Sequence, residues 1–79
     1  MKATVLVRPK EGILDPQGQA VEQSLRKLGF AVSHARVGRV VDVDVDASSV
    51  DEAREKALEM CRQLLANPLI ESFEVEVHE

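Results

Sequence analysis

Apolar and polar residues alternate in the first part of the chain. Residues 2–9 place Ala3, Val5 and Val7 on one side and mostly polar side chains on the other. A period of two residues is typical of a β-strand with one buried face. The sequence therefore predicts a half-buried strand at residues 2–9.

The next segment carries the signals of a helix. Asp15 followed by Pro16 is typical of an N-cap and a first helical position, and Gly29 is typical of a C-terminal cap. The predicted helix spans about 13 residues, and its apolar stripe is expected to face the sheet. This stripe consists of Ala20, Val21, Leu25 and Leu28.

Two β-prone runs follow, at residues 30–37 and 40–46, with Gly38 and Arg39 between them. Gly at such a position tolerates the backbone of a tight turn, so the pair predicts a hairpin. Ser49 and Glu52 then form a capping-box pattern, which predicts a second helix to about Ala66. After Asn67-Pro68, residues 73–77 alternate again and predict a closing strand.

The element order βαββαβ predicts an α+β fold: a ferredoxin-like two-layer sandwich with an antiparallel sheet and two helices on one face. Residues 1–79 would form a single domain, with strand one between strands three and four. The charges favour this order, because basic side chains would lie between two acidic rows on the outer face. The side chains concerned are Lys2 and Arg8, Asp42, Asp44 and Asp46, and Glu74 and Glu76.

Composition limits the core and the partners. A chain of 79 residues with two Phe and no Trp or Tyr can build only a thin core, so an oligomer is expected. The net charge of -4 disfavours nucleic acid and membrane surfaces as partners. A single Cys61 and the lack of a signal-peptide pattern predict a cytoplasmic protein without disulfides.

Candidate chemical groups favour structural roles. The run Asp42–Asp46 resembles the start of a calcium loop, but Ala47 and Ala53 stand where that loop needs Gly and Glu, so no metal is predicted. Cys61 falls on the apolar stripe of the second helix and is expected to be a buried thiol. His34 and His78 have no acidic partner or metal-ligand spacing. From its residues alone, the chain is expected to be a non-catalytic oligomeric domain.

Two surface features leave alternatives open. Ile13 and Leu14 are aliphatic side chains in a loop, where they either dock on a partner or fold back over the first helix as a staple. Arg36 and Arg39 place two guanidinium groups at a turn, either solvated or in contact with a carboxylate or phosphate. At Asp15, helix capping is favoured over phosphate binding, because the carboxylate already supplies the negative charge.

Several motifs together resemble the PurS family, the small subunit of phosphoribosylformylglycinamidine (FGAM) synthase. They are Ile13-Leu-Asp-Pro-Gln-Gly18, Leu25-Arg-Lys-Leu-Gly29, Arg36-Val-Gly-Arg39, and Met60 to Asn67 with Ile70-Glu71. The resemblance covers essentially the whole chain.

This resemblance implies a role in purine biosynthesis. A PurQ-type glutaminase subunit would release ammonia, and a PurL-type ligase subunit would use it with ATP and Mg to convert a formylglycinamide ribonucleotide to its amidine. The small subunit would join them as a homodimer or tetramer and bind no cofactor itself.

The expected partner or oligomer contacts are Ile13, Leu14, Asp15, Gln17, Gly18, Arg36, Gly38 and Arg39. The rival hypothesis is a ligand-sensing βαββαβ module that binds a small metabolite between protomers.

Overall fold

The computed structural model describes all of residues 1–79. Its elements are β1 (Lys2–Pro9), α1 (Pro16–Lys27), β2 (Arg39–Asp44), α2 (Val50–Met60), a π-helical turn (Cys61–Leu65) and β3 (Glu71–His78). The three strands form one antiparallel sheet in the order β2-β1-β3. The predicted α+β class, the antiparallel sheet and the central place of the first strand are confirmed. Neither helix has the length and apolar composition needed to cross a membrane.

The core lies between β1 and α2. Side chains on alternate positions of β1 face α2, and Val5 and Val7 are almost completely buried. The opposing face of α2 presents Ala53 and Ala57, whose small side chains let the helix approach the sheet closely. Cys61 is buried beside Val5, and this burial raises the pKa of its thiol. The prediction of a buried structural thiol is confirmed.

The outer face of the sheet carries the predicted charge pattern. Lys2 lies opposite Asp44, and the Arg8 guanidinium lies 3.6 Å from the Glu74 carboxylate. The hydroxyl of Thr4 also donates to Asp42 at 2.7 Å. Opposite charges on neighbouring strands stabilise the pairing, whereas like charges would oppose it. The register therefore agrees with the expectation of basic side chains between two acidic rows.

The start of α2 is capped by Ser49, and the neighbouring Ser48 bonds to the Glu52 side chain. The Ser49 hydroxyl accepts a hydrogen bond from the Glu52 N–H at 3.1 Å, as a capping box requires. The Glu52 carboxylate accepts from the hydroxyl of Ser48 at 2.7 Å and from its N–H at 3.1 Å, and not from the N–H of Ser49. Bonds from the Ser48 hydroxyl and N–H, together with Lys56, lower the pKa of Glu52 to about 2. The predicted cap is therefore present, but the Glu52 carboxylate bonds to Ser48 and not to Ser49.

The boundaries of α1 agree with the sequence. The Asp15 carboxylate accepts from the Gly18 N–H at 3.0 Å, and Pro16 occupies the first helical position. At the other end Gly29 has a φ of 96°, a left-handed conformation that a residue with a Cβ rarely adopts. The helix is 12 residues long, close to the predicted length.

The predicted hairpin and the predicted docking of α1 on the sheet are wrong. Residues 30–37 form no strand, and α1 has at most marginal contact with the sheet and with α2. We call residues 16–37 the arm and the remainder the body. The radius of gyration is 15.7 Å, whereas a compact chain of this length would have about 12 Å. The arm therefore projects from the body of the single chain.

The backbone of the returning segment explains why no hairpin forms. Near the far end of the arm, the Arg26 guanidinium donates to the carbonyl oxygen of Val32 at 3.0 Å. Near the body, the carbonyl oxygen of Ala35 packs directly against Gly18. The segment is thus held along α1 and is turned away from the free edge of β2.

We predict that Val5→Ala lowers the free energy of unfolding by about 2 kcal/mol, because it removes buried methyl groups and leaves a cavity. Val40→Ala is the matched control, since Val40 is exposed on the outer face and its loss is expected to cost less than about 0.5 kcal/mol. Urea unfolding of both variants tests the assignment of the core. Equal losses would contradict it.

We predict that Gly18→Ala destabilises the protein by about 1 to 3 kcal/mol, although Ala is normally the better helix former. A Cβ at this position would overlap the carbonyl oxygen of Ala35 and the Asp15 carboxylate. Ser24→Ala, at an exposed position of the same helix, is expected to leave stability unchanged or slightly raised. Thermal unfolding followed by helical circular dichroism measures both effects, and a more stable Gly18→Ala variant would refute the close contact.

Candidate functional site

The structure brings most of the predicted contact residues to one place, where the arm joins the body. A cleft of about 240 Å³ is lined by six of the eight. These six are Ile13, Leu14, Asp15, Gln17, Gly38 and Arg39. Gly18 is buried in the first turn of α1, against the carbonyl oxygen of Ala35, and Arg36 lies on the two neighbouring clefts. The eight residues therefore form one region, and their role in binding stays a prediction.

Arg39 holds one wall of the cleft. Its guanidinium makes two parallel hydrogen bonds to the Glu71 carboxylate, at 2.6 and 2.9 Å, and donates to the carbonyl oxygen of Leu65 at 2.6 Å. The bond to Glu71 raises the pKa of Arg39, and the reciprocal bond, aided by the Asn67 N–H, lowers the pKa of Glu71. This geometry fixes both side chains and joins β2, the π-helical turn and β3.

Arg36 and Asp15 hold the opposite wall. Arg36 donates to the carbonyl oxygens of Pro9 and Lys10 at 2.8 and 2.6 Å, and its Nε lies 3.9 Å from Asp15 Oδ2. Hydrogen bonds from the N–H groups of Val37 and Gly18 lower the pKa of Asp15 against the opposing effect of its burial. Of the two alternatives for the arginines, contact with a carboxylate is therefore the one observed, and the carboxylates belong to the same chain.

Ile13 and Leu14 do not form a staple over α1. Leu14 is 74% exposed and Ile13 is 36% exposed, although both side chains are apolar. Ile70 lies across the same cleft and is also partly exposed. Because the charged side chains of the cleft are already paired, the exposed aliphatic side chains of Ile13, Leu14 and Ile70 remain available to a partner. Such a surface, with a polar rim, is typical of protein–protein contacts.

The arm carries a second apolar surface, which the sequence analysis expected to be buried against the sheet. Leu28 and Phe30 are 74% and 58% exposed, and Val21 on the same helix is also exposed. The sequence did contain a signal, since Phe30 is one of only two aromatic residues in the chain. Its position in a β-prone run suggested a sheet contact that the single chain does not make.

A third exposed apolar group lies where α2 leads into β3. Leu64 and Leu69 are each 83% exposed, on the π-helical turn and on the connection after Pro68. Their neighbour Lys10 donates from its ammonium group to the carbonyl oxygen of Pro68 at 2.7 Å, which ties this connection to the end of β1. The body therefore also presents aliphatic side chains beside the cleft.

The ionisable groups outside these surfaces lie in surroundings that indicate a structural role. No group of three or more His, Cys, Asp or Glu side chains is placed to hold a metal ion. His78 lies 3.9 Å from Glu76 on the exposed side of β3, and Cys61 is enclosed in the core. The arrangement offers surfaces for binding, and its charged groups maintain the fold around them.

Comparisons with known proteins agree with this picture. The family model described as "PurS: Phosphoribosylformylglycinamidine (FGAM) synthase" matches residues 2–79. The PurS subunit of the same synthase from Methanocaldococcus jannaschii is 35% identical over 96% of this chain and 93% of its own length. Sequence similarity therefore extends through the arm and the body.

Solved structures share the shape of the whole chain. The structure of Bacillus subtilis PurS superposes with a TM-score of 0.85 at 37% identity, covering 99% of this chain and 98% of that one. A chain in the structure of PurLQS from Thermotoga maritima superposes with a TM-score of 0.87 at 32% identity, covering 95% and 93%. These superpositions include the arm. With the family model matching from residue 2 to residue 79, the chain belongs to the PurS family of FGAM synthase.

Proposed function

We propose that the chain is the small, non-catalytic subunit of FGAM synthase, acting in the cytoplasm to join a PurQ-type glutaminase subunit to a PurL-type ligase subunit. The observation that carries this proposal is the set of uncovered aliphatic surfaces around a cleft whose charged side chains are already paired within the fold. The similarity to a chain of PurLQS supports the same partners.

The chemistry of the reaction explains why such a subunit is useful. Ammonia released by a glutaminase is protonated and diluted once it enters water, so its transfer to a ligase needs two active sites at a fixed separation. ATP and Mg would be bound by the ligase subunit, and this chain would bind neither. Its contribution would be to hold the two larger subunits in one geometry.

The small subunit would act as a homodimer or tetramer. The arm exposes Leu28, Phe30 and Val21, and β2 has a free edge on the side away from β1. Burial of aliphatic and aromatic side chains is the main driving force for permanent association. A second copy that covers the arm would complete the core that one chain lacks.

A metabolite-sensing role is less well supported by the same geometry. The clefts near the arm are open, and the terminal guanidinium nitrogens of Arg36 and Arg39 donate to carbonyl and carboxylate oxygens of the protein itself. A pocket for a metabolite normally keeps a few polar groups unpaired and convergent. The adaptor function therefore fits better.

Reconstitution tests the adaptor function. With the two larger subunits and glutamine, omission of this chain is expected to abolish most amidine synthesis, whereas synthesis from added ammonium should largely remain, because external ammonia bypasses the coupling. Product formation is measured with each nitrogen source. Undiminished glutamine-dependent synthesis without the chain would refute the proposal.

Light scattering tests self-association through the arm. Phe30→Asp is expected to convert the oligomer to a smaller species, because a charge would then lie in the contact between copies. Leu64→Asp is the matched control, because it places the same charge at an exposed apolar position of the body and outside the arm, and it should keep the native mass. The same mass for both variants would contradict the assignment of the arm.

A further inference from the structure

The arm and the body are joined by two interlocking side chains. Asp15 uses its two carboxylate oxygens separately: Oδ1 accepts from the Gly18 N–H and Oδ2 accepts from the Val37 N–H, each at 3.0 Å. Arg36 lies against the same carboxylate and donates to the carbonyl oxygens at the end of β1. We call Asp15 and Arg36 the joint. It ties the start of α1, the end of the returning segment and the end of β1 together.

Within one chain, the helix of the arm makes little other contact with the body. α1 has at most marginal packing against the sheet and α2, and the covalent chain enters and leaves the arm beside the joint. A helix of 12 residues is about 18 Å long. A rotation of about 10° at the joint would therefore displace the far end of the arm by about 3 Å. The joint controls where Leu28 and Phe30 are presented.

The cap of α2 shows what is unusual about Asp15. Ser49 caps α2 with one hydrogen bond, to the Glu52 N–H, and contacts no distant segment through its side chain. Asp15 makes the equivalent bond and adds a second one to Val37, 22 residues away in the sequence. The second bond is unnecessary for starting a helix. It does fix the returning backbone to that start.

We propose that Asp15 and Arg36 are positioning residues for the reaction: they set the angle between arm and body, and through it the relative placement of the glutaminase and ligase subunits. This inference rests on the adaptor function proposed above. A wrong angle would leave each active site intact and would open the path between them, so that ammonia escapes to water before it reaches the ligase.

The substitution Asp15→Asn separates the two roles of the carboxylate. Asn is as good an N-cap as Asp, so its oxygen can still accept from the Gly18 N–H. Its amide NH₂ would then face the Val37 N–H, donor against donor, and the ion pair with Arg36 would be lost. Ser49→Asn is the matched control, because it exchanges a cap of α2 that has no second partner. Arg36→Met is an independent variant of the other half of the joint.

The direction of the arm is measured on the intact chain. Spin labels are placed at Ser24→Cys on the arm and Ser72→Cys on the body, in a Cys61→Ala background and diluted with unlabelled chain. Asp15→Asn and Arg36→Met are expected to shift or broaden the distance distribution by several ångströms, since the helix acts as a lever. Ser49→Asn should reproduce the distribution of the parent.

The consequence for the reaction is measured in the reconstituted complex as glutamate formed per amidine formed. Asp15→Asn and Arg36→Met are expected to raise this ratio severalfold, and Ser49→Asn should leave it unchanged. A structural defect that merely weakened the complex would lower both products together.

Native distances in the two joint variants, or altered distances with a native ratio, would each overturn the proposal. If the native chain itself proved dispensable for glutamine-dependent synthesis, the adaptor function would fail. The distance measurement would then still decide whether the joint directs the arm.

Discussion

Within one chain, the sheet can bury the apolar face of only one of the two helices. Alternate side chains of β1 pack against the small residues of α2, and this contact includes most of the nine buried residues. The sheet has only three strands, and its other face carries charged side chains that remain in water. A second helix therefore has no apolar surface on which to dock. The projection of α1, and the exposure of its apolar residues, follow from that limit.

The joint gives the projecting arm a fixed direction relative to the body. A helix without tertiary packing would normally have no fixed direction, because its own backbone hydrogen bonds do not fix its orientation relative to the rest of the chain. Asp15 and Arg36 supply the missing constraint with directional bonds to backbone groups on three segments. Directional bonds suit this task better than apolar contacts, which tolerate sliding. Polar side chains thus define the geometry here, and exposed apolar side chains are left for binding.

This division of roles between polar and apolar side chains fits a protein whose function is to hold other subunits in a fixed arrangement. In the proposed adaptor function, the rate enhancement belongs to the larger subunits, and the small subunit contributes the distance and angle between them. The aliphatic side chains near the cleft and along the arm supply contact area. The bonds between Arg39 and Glu71 make the strand ends beside the cleft rigid. Rigid support near a binding surface reduces the loss of conformational freedom on association.

The local elements were determined by the sequence, because their signals act between near neighbours. Alternation in residues 2–9 and 73–77, the caps at Asp15 and Ser49, and the charge rows on the strands were sufficient to predict the boundaries and the central place of β1. Local features singled out Ile13, Leu14, Asp15, Arg36 and Arg39 of the candidate site, and the motifs of the family resemblance supported the same region. The ion pairs that these residues form could not be predicted from their spacing along the sequence.

Only the tertiary structure decided what the β-prone run at residues 30–37 does. A β-strand needs a partner edge, and whether one is reached depends on contacts far away in the chain. Here the Asp15 carboxylate and Gly18 hold the backbone of Val37 and Ala35 beside α1, so the edge of β2 stays free. The same long-range contacts turn α1 away from the sheet. Local pattern sets which elements can form, and the competition among distant contacts sets where they lie.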